Sequence, residues 1–331
     1  MNRCSLVRIV VGIALFIGSV SAAQATEGKI KVFILAGQSN MEGHGQLRSL
    51  DHLGEHPKYG YLLRKLKNPD GSWVVRKDVT IYWKVRNKPF GPLTIGWGAS
   101  ENEIGPELMF GVIMGDVYRE HVLLIKTAWG GKDVYCDFRS PSAGSPTGDE
   151  AKVLLKQRSE GRVRQSGLYY RKMVAQIKEC LANIAKIVPG YHGQGYELAG
   201  MAWFQGWNDF CEWHLQVDGK RIGMGLIEHY PHNLAAMFRD LRRDLDAAGM
   251  PIVIGEMGIG GREIEQRAKN PDDHEACAMM AFRRAQRAVA ADPSLPNVTF
   301  VPTAGFWDSR LQQLRVMSDA YWNEKRKKGI K

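Results

Sequence analysis

Cysteine is scarce in this chain of 331 residues: there are five, and no two stand as C-x-x-C. That spacing supports neither a zinc ribbon nor a thioredoxin-like redox motif, and no metal is expected. Cys4 falls in the leader described below. The remaining four, Cys136, Cys180, Cys211 and Cys277, allow up to two disulfides with three possible pairings. Internal repeats, low-complexity segments and a linker long enough to divide the chain are all lacking. No G-x-S-x-G occurs, which excludes the α/β-hydrolase elbow. The turn after the first strand lacks a glycine-rich phosphate cradle, which argues against a flavodoxin-like nucleotide binder, and no cofactor is expected.

Long apolar stretches are equally few. Ile9–Val20 is short for a membrane span. It follows Arg3 and Arg8 and precedes Ala23-Gln24-Ala25, the order of a secretory signal peptide. The reading is a leader over 1–25 cut near Ala25, a single domain over 26–331, a secreted or periplasmic location and no stable membrane insertion after cleavage. Removing Arg3 and Arg8 takes the formal charge from +10 to +8. The basic residues are scattered, clustering only at 239–243 and in the tail 324–331, so solvated helix faces are expected and no nucleic-acid groove. An acidic or acetylated polysaccharide is the more natural partner of an exported chain. The oligomeric state is left open.

What is present begins with Ile30–Ala36, an apolar and β-branched run that reads as a strand buried on both faces. Gly37 ends it in a tight turn carrying Gln38, Ser39, Asn40 and Met41. Residues 46–104 read as an irregular insertion with a short hairpin over Val74–Val85. Further strands are expected at His121–Thr127, Leu198–Phe204, Pro251–Gly255 and Val298–Pro302. Helices are expected from Gly105-Pro106-Glu107 to Val117, over Tyr169–Val188, about His232–Ala248, about Glu275–Ala291 and in the last twenty residues. This alternation implies a three-layer α/β/α fold with a five-stranded parallel sheet, whose loops converge at the carboxyl ends of the strands.

Three of those strand ends carry chemistry. The first presents Ser39, a hydroxyl nucleophile. The second gives Ala128-Trp129-Gly130-Gly131, whose glycine N–H groups can approach a substrate closely. The third gives Gln205-Gly206-Trp207-Asn208-Asp209, with an amide donor in Asn208. Acyl transfer needs a nucleophile and donors aimed at the carbonyl oxygen as it becomes negative.

Gly37-Gln-Ser-Asn-Met41, Ala128-Trp-Gly-Gly131 and Trp203-Phe-Gln-Gly-Trp-Asn208-Asp209 together resemble the SGNH hydrolase superfamily, within it the sialate O-acetylesterase-like group related to carbohydrate esterase family 6. The resemblance covers essentially the whole chain after the leader, and its fold is flavodoxin-like. It implies a serine carbohydrate O-acetylesterase with Ser39 as nucleophile. The oxyanion hole would be the Ser39 N–H, a glycine N–H at Gly131 or Gly130, and the Asn208 amide. Gln205 would shape the pocket. Gln38, Glu256, Trp129 and Trp207 complete the expected substrate pocket, with Trp97 and Trp213 near its rim.

The chain departs from that pattern in lacking a late Asp-x-x-His, whose histidine would be the general base. Its last histidine is His274, and Asp308 has no histidine after it. The expectation is a truncated chain, with a relocated base as the alternative. His44 and His214 are the histidines to test for that role, while His229 and His232 read as surface residues. Asp272-Asp-His-Glu275 reads as a solvated loop and helix start. The rival to an esterase is a carbohydrate-binding relative that keeps the pocket without the base.

Overall fold

In the computed structural model, which describes residues 28–327, the apolar run forms β1, Ile30–Gly37. The elements that follow are α1 (Ser39–Glu42), β2 (Arg76–Tyr82), β3 (Phe90–Leu93), α2 (Pro106–Val117) and β4 (Val122–Ala128). After them come α3 (Gly148–Ser159), α4 (Leu168–Ala182), β5 (Tyr196–Phe204), α5 (Trp207–Phe210) and α6 (Gly223–Asp244). The chain continues through β6 (Ile252–Gly255), α7 (His274–Ala290), β7 (Val298–Val301) and α8 (Ser309–Lys327). The expected leader and cleavage site, and the basic end 328–331, lie outside the described residues. No described helix is long and apolar enough to cross a membrane.

The sheet runs β7-β6-β5-β1-β4-β2-β3. It has seven strands, not the five expected, because the segment read as an irregular insertion supplies two. β2 pairs in parallel with β4, and β3 returns antiparallel along the edge. The short hairpin expected over Val74–Val85 forms over a longer span, with β2 inside those bounds and its return strand β3 beyond them. The charged first half of β2, Arg76-Lys-Asp78, gave no sign that its second half, Val79–Tyr82, is wholly buried within the main sheet. The five expected strands all form and all run parallel.

β1 lies in the middle and feeds both cores, as a strand buried on both faces must. Val32, Ile34 and Ala36 join Met173, Ile177, Leu234, Phe238 and Phe282 from α4, α6 and α7. Phe33 and Leu35 face the other way, onto Leu108 and Val112 of α2. Fully burying each Val, Leu, Ile, Phe or Met side chain among these contributes about 1.5–3 kcal/mol. Helices thus cover both faces and leave the carboxyl ends of the strands open, so the fold is the three-layer α/β/α arrangement.

All four described cysteines are free thiols. The disulfides allowed by the count are not formed. Cys180 is sealed inside the α4 core and Cys136 inside a separate apolar cluster, so neither faces a partner sulfur.

Candidate active site

The turn between β1 and α1 is tight because two strand ends touch. A Cβ at Gly37 would lie 2.2 Å from the Phe204 carbonyl oxygen at the end of β5. Only glycine fits there, and that contact brings Ser39 beside the loop carrying Asn208.

Gln38 is fully buried and fastens the two loops together. Its Oε1 accepts the N–H of Gly206 at 3.0 Å and of Asn208 at 3.4 Å. A backbone N–H can only donate, so this fixes which end of the Gln38 amide is oxygen. Its Nε2 therefore donates to Asn208 Oδ1, at 2.6 Å. By the same logic Asn208 has its oxygen occupied and its Nδ2 donor left over. Gln38, expected to line the pocket, lies beneath it instead. Gln205 is likewise buried, donating to Lys132 O and Asp209 Oδ2 and accepting from the Tyr230 hydroxyl.

The glycine pair is not symmetric. A Cβ at Gly130 would point at Ser39 Cβ, 3.9 Å away, and at Glu42 Oε2, 2.8 Å away. The Cβ direction at Gly131, whose φ is 72°, meets nothing within 4 Å. Gly130 is thus the glycine packed beside the serine. Trp129 anchors this loop, its ring 5.3 Å from that of Tyr169 and its backbone N–H donating to the Gly37 carbonyl. Trp207 is 38 % exposed and leans on Phe210.

Ser39 opens onto a cavity of about 460 Å³ shared with His44, Phe204, Thr303, Phe306 and Trp307. Glu256 builds one wall indirectly. Its Oε2 accepts the N–H groups of Thr303 and Ala304, fixing the turn that presents Phe306 and Trp307. Sequence reasoning missed Thr303, Phe306 and Trp307, because they follow the fifth strand without a recognisable motif. His44 is half exposed on the cavity wall, with Nδ1 3.4 Å from Glu103 Oε1 and Nε2 3.9 Å from Glu42 Oε2. The other histidines lie apart from this cavity: His214 packs on the Trp213 ring and His229 lies 3.9 Å from Glu150. Asp273 caps α7 by accepting the Ala276 N–H and pairs with Arg267, a helix-start role.

Two buried polar assemblies hold these loops. Lys126 on β4 donates to Glu42 O, Trp97 O and Glu107 Oε2, all within 2.8 Å, and its ammonium stands 4.2 Å from the Trp83 ring centre. Lys126 and Glu107 are both fully buried. Burial pushes the Glu107 carboxyl up and the Lys126 ammonium down, and their mutual attraction opposes both shifts. The second assembly lies under the Gly130 loop. Asp209 accepts the N–H groups of Val134 and Tyr135, and Arg164 pairs with both Asp133 and Asp137. Burial raises the Asp209 carboxyl well above the usual range, with the Asp133 charge adding to it.

Burial also lifts Asp133, to about 6, against the pull of Arg164. Its unfolded value is ~3.9. A raised carboxyl binds its proton more tightly when folded, so its contribution to stability is complete below about pH 4 and is lost as pH rises through 6. The unfolding free energy of Asp133→Asn, measured in urea against wild type from pH 5 to 7.5, should therefore gain on wild type with pH, on the order of 1 kcal/mol across the window. A difference that shrinks with pH would contradict the assignment. Comparing the two proteins cancels buried His121, whose lowered pKa acts in the opposite direction.

The family model described as "Carbohydrate esterase, sialic acid-specific acetylesterase" matches residues 29–314. Among solved structures, a protein from Arabidopsis thaliana aligns at 17 % identity and a TM-score of 0.47, covering 83 % of this chain and 85 % of that one. A carbohydrate acetylesterase from Xanthomonas citri aligns at 13 % identity and a TM-score of 0.45, covering 83 % of this chain and 50 % of that one. No curated protein matches.

Proposed function

The chain belongs to the carbohydrate esterase, sialic acid-specific acetylesterase family, and from that premise we propose that it removes O-linked acetyl groups from a glycan by serine chemistry at Ser39. The observation that carries the mechanism is the fixed amide chain Gly206–Gln38–Asn208, which leaves one free donor beside the serine turn. Ser39 Oγ attacks the acetyl carbonyl carbon and gives up its proton. The carbonyl oxygen becomes negative and is met by the Ser39 N–H, the N–H groups of the Gly130-Gly131 loop and Asn208 Nδ2. Collapse of this intermediate releases the sugar hydroxyl, which takes a proton, and leaves acetyl on Ser39. Water then hydrolyses the acetyl-enzyme. The imidazole on this cavity's wall is His44, oriented by Glu103, and it is assigned the proton-accepting role. Ser39 N–H lies in the first turn of α1, where no intrahelical acceptor competes for it.

The test is acetate release from acetylated xylan and 4-nitrophenyl acetate, together with labelling by a serine-directed fluorophosphonate. The expected adduct is on the peptide containing Ser39. Ester hydrolysis with the adduct on another serine would overturn the mechanism. A chain that binds acetylated glycan without releasing acetate would instead be the binding relative.

Asn208→Asp separates the oxyanion role from packing. The variant keeps an oxygen for Gln38 Nε2 but replaces the free donor by a negative oxygen. Its kcat should fall by about 10²–10³ or more, with KM little changed. An unchanged kcat would remove Asn208 from the oxyanion hole.

A further inference from the structure

Phe306, on the wall of the Ser39 cavity, also lines a second cavity of about 420 Å³ beyond the carboxyl ends of β6 and β7. That volume suits a small ligand or one unit of a polymer. Lys58, Arg262 and Arg287 face it, and among the described residues none of the three is engaged in an ion pair. Two carboxylates share the lining. Glu256 is tied to the Thr303 and Ala304 N–H groups, and Glu265 lies 3.9 Å from Arg283, a cation outside the lining. The cavity therefore carries an excess of positive charge. Tyr59 stands 6.0 Å from Phe306, so two neighbouring aromatic rings line this second cavity.

We infer that this second cavity binds the carboxylate of a uronosyl unit next to the acetylated one, so that the substrate is an acetylated acidic polysaccharide. The inference rests on the esterase reading of Ser39 and names its substrate class. Three cations held around one space repel one another, and a bound anion relieves that repulsion. Guanidinium groups match a carboxylate with paired N–H donors, a geometry that a neutral sugar hydroxyl does not offer. Because the cationic cavity lies across Phe306 from Ser39, the charge is assigned to a neighbouring ring and not to the ring that loses its acetyl group.

The experiment compares kcat/KM for acetate release from acetylated polygalacturonate with that from the same polymer after methyl esterification of its carboxyls. Wild type and Arg262→Gln/Arg287→Gln are measured, with thermal unfolding as a check on folding. The expected result is a preference of about tenfold or more for the charged polymer, carried by KM and lost in the double variant, with salt weakening it in wild type. Equal rates on both polymers, or a preference that survives the double variant, would overturn the inference. So would a monomeric acetylated sugar acid cleaved as well as the polymer with the same arginine dependence, since that places the carboxylate on the acetylated ring. If wild type releases acetate from nothing, the esterase reading fails on its own. Calorimetry with trigalacturonate and its methyl ester then tests the cavity directly: binding of the acid alone, lost in the double variant, supports it, and no binding sinks it.

Discussion

Ser39→Ala is expected to lower kcat for acetate release by at least about 10³-fold while leaving the fold intact. Among the described residues the Ser39 hydroxyl makes no hydrogen bond, so its removal breaks no structural contact. The backbone donors of the turn stay where Gly37 and Gln38 hold them. Residual hydrolysis from the oxyanion hole sets the floor of the effect. Steady-state acetate release with a coupled assay reads it, and far-ultraviolet circular dichroism checks the fold. The pH profile adds the second half of the test. With His44 as base, His44→Gln costs about 10²-fold or more of kcat/KM and alters its dependence on pH. Activity that survives Ser39→Ala would end the serine mechanism, and an unchanged profile in His44→Gln would take the base role from His44.

Lys126→Met should destabilise the protein by about 3–5 kcal/mol, the cost of stranding a buried charge without its partner. Here the stranded group is Glu107, which is fully buried. The Glu42 and Trp97 carbonyls also lose their donor. Glu107 accepts the Gly105 N–H as well, and Gly105 packs against Gly43 just past α1. The pair therefore ties β4, α2 and the serine-bearing turn together from inside. Urea unfolding of Lys126→Met, Glu107→Leu and the double variant measures this. The double variant should recover part of the loss, because two neutral side chains leave no unpaired charge. Single variants within ~0.5 kcal/mol of wild type would show that the pair contributes little.

Both predictions lean on residues of very different legibility. Ser39 stands out because a glycine-terminated apolar strand announces the turn before any contact is known. Lys126 gives no such sign. A lone lysine inside Val122–Ala128 is a blemish in a strand pattern, and only the tertiary structure shows Nζ surrounded by two carbonyls and a carboxylate. Gln38 and Gln205 were legible as polar residues at strand ends, but not as buried cross-links, since whether an amide faces substrate or backbone depends on what the neighbouring loop offers it. The helix expected from about His232 begins at Gly223 and runs through Pro231. Proline there forfeits a backbone hydrogen bond. Leu226, Ile227 and Tyr230 are buried against the core and hold the turn before it in place.

The sequence alone determined the alternation of strands and helices, the parallel central sheet and the three strand ends that bear the serine, the glycines and the asparagine. Those follow from local periodicity and from the steric demands of glycine, which act within a few residues. Tertiary structure decided the two extra strands, the partner of each buried amide and the free cysteines. It also decided which glycine stands beside Ser39 and that Phe306 lies between the Ser39 cavity and a cationic one. Each of these is a contact between segments far apart in the chain, and burial, not local preference, selects among the partners that meet.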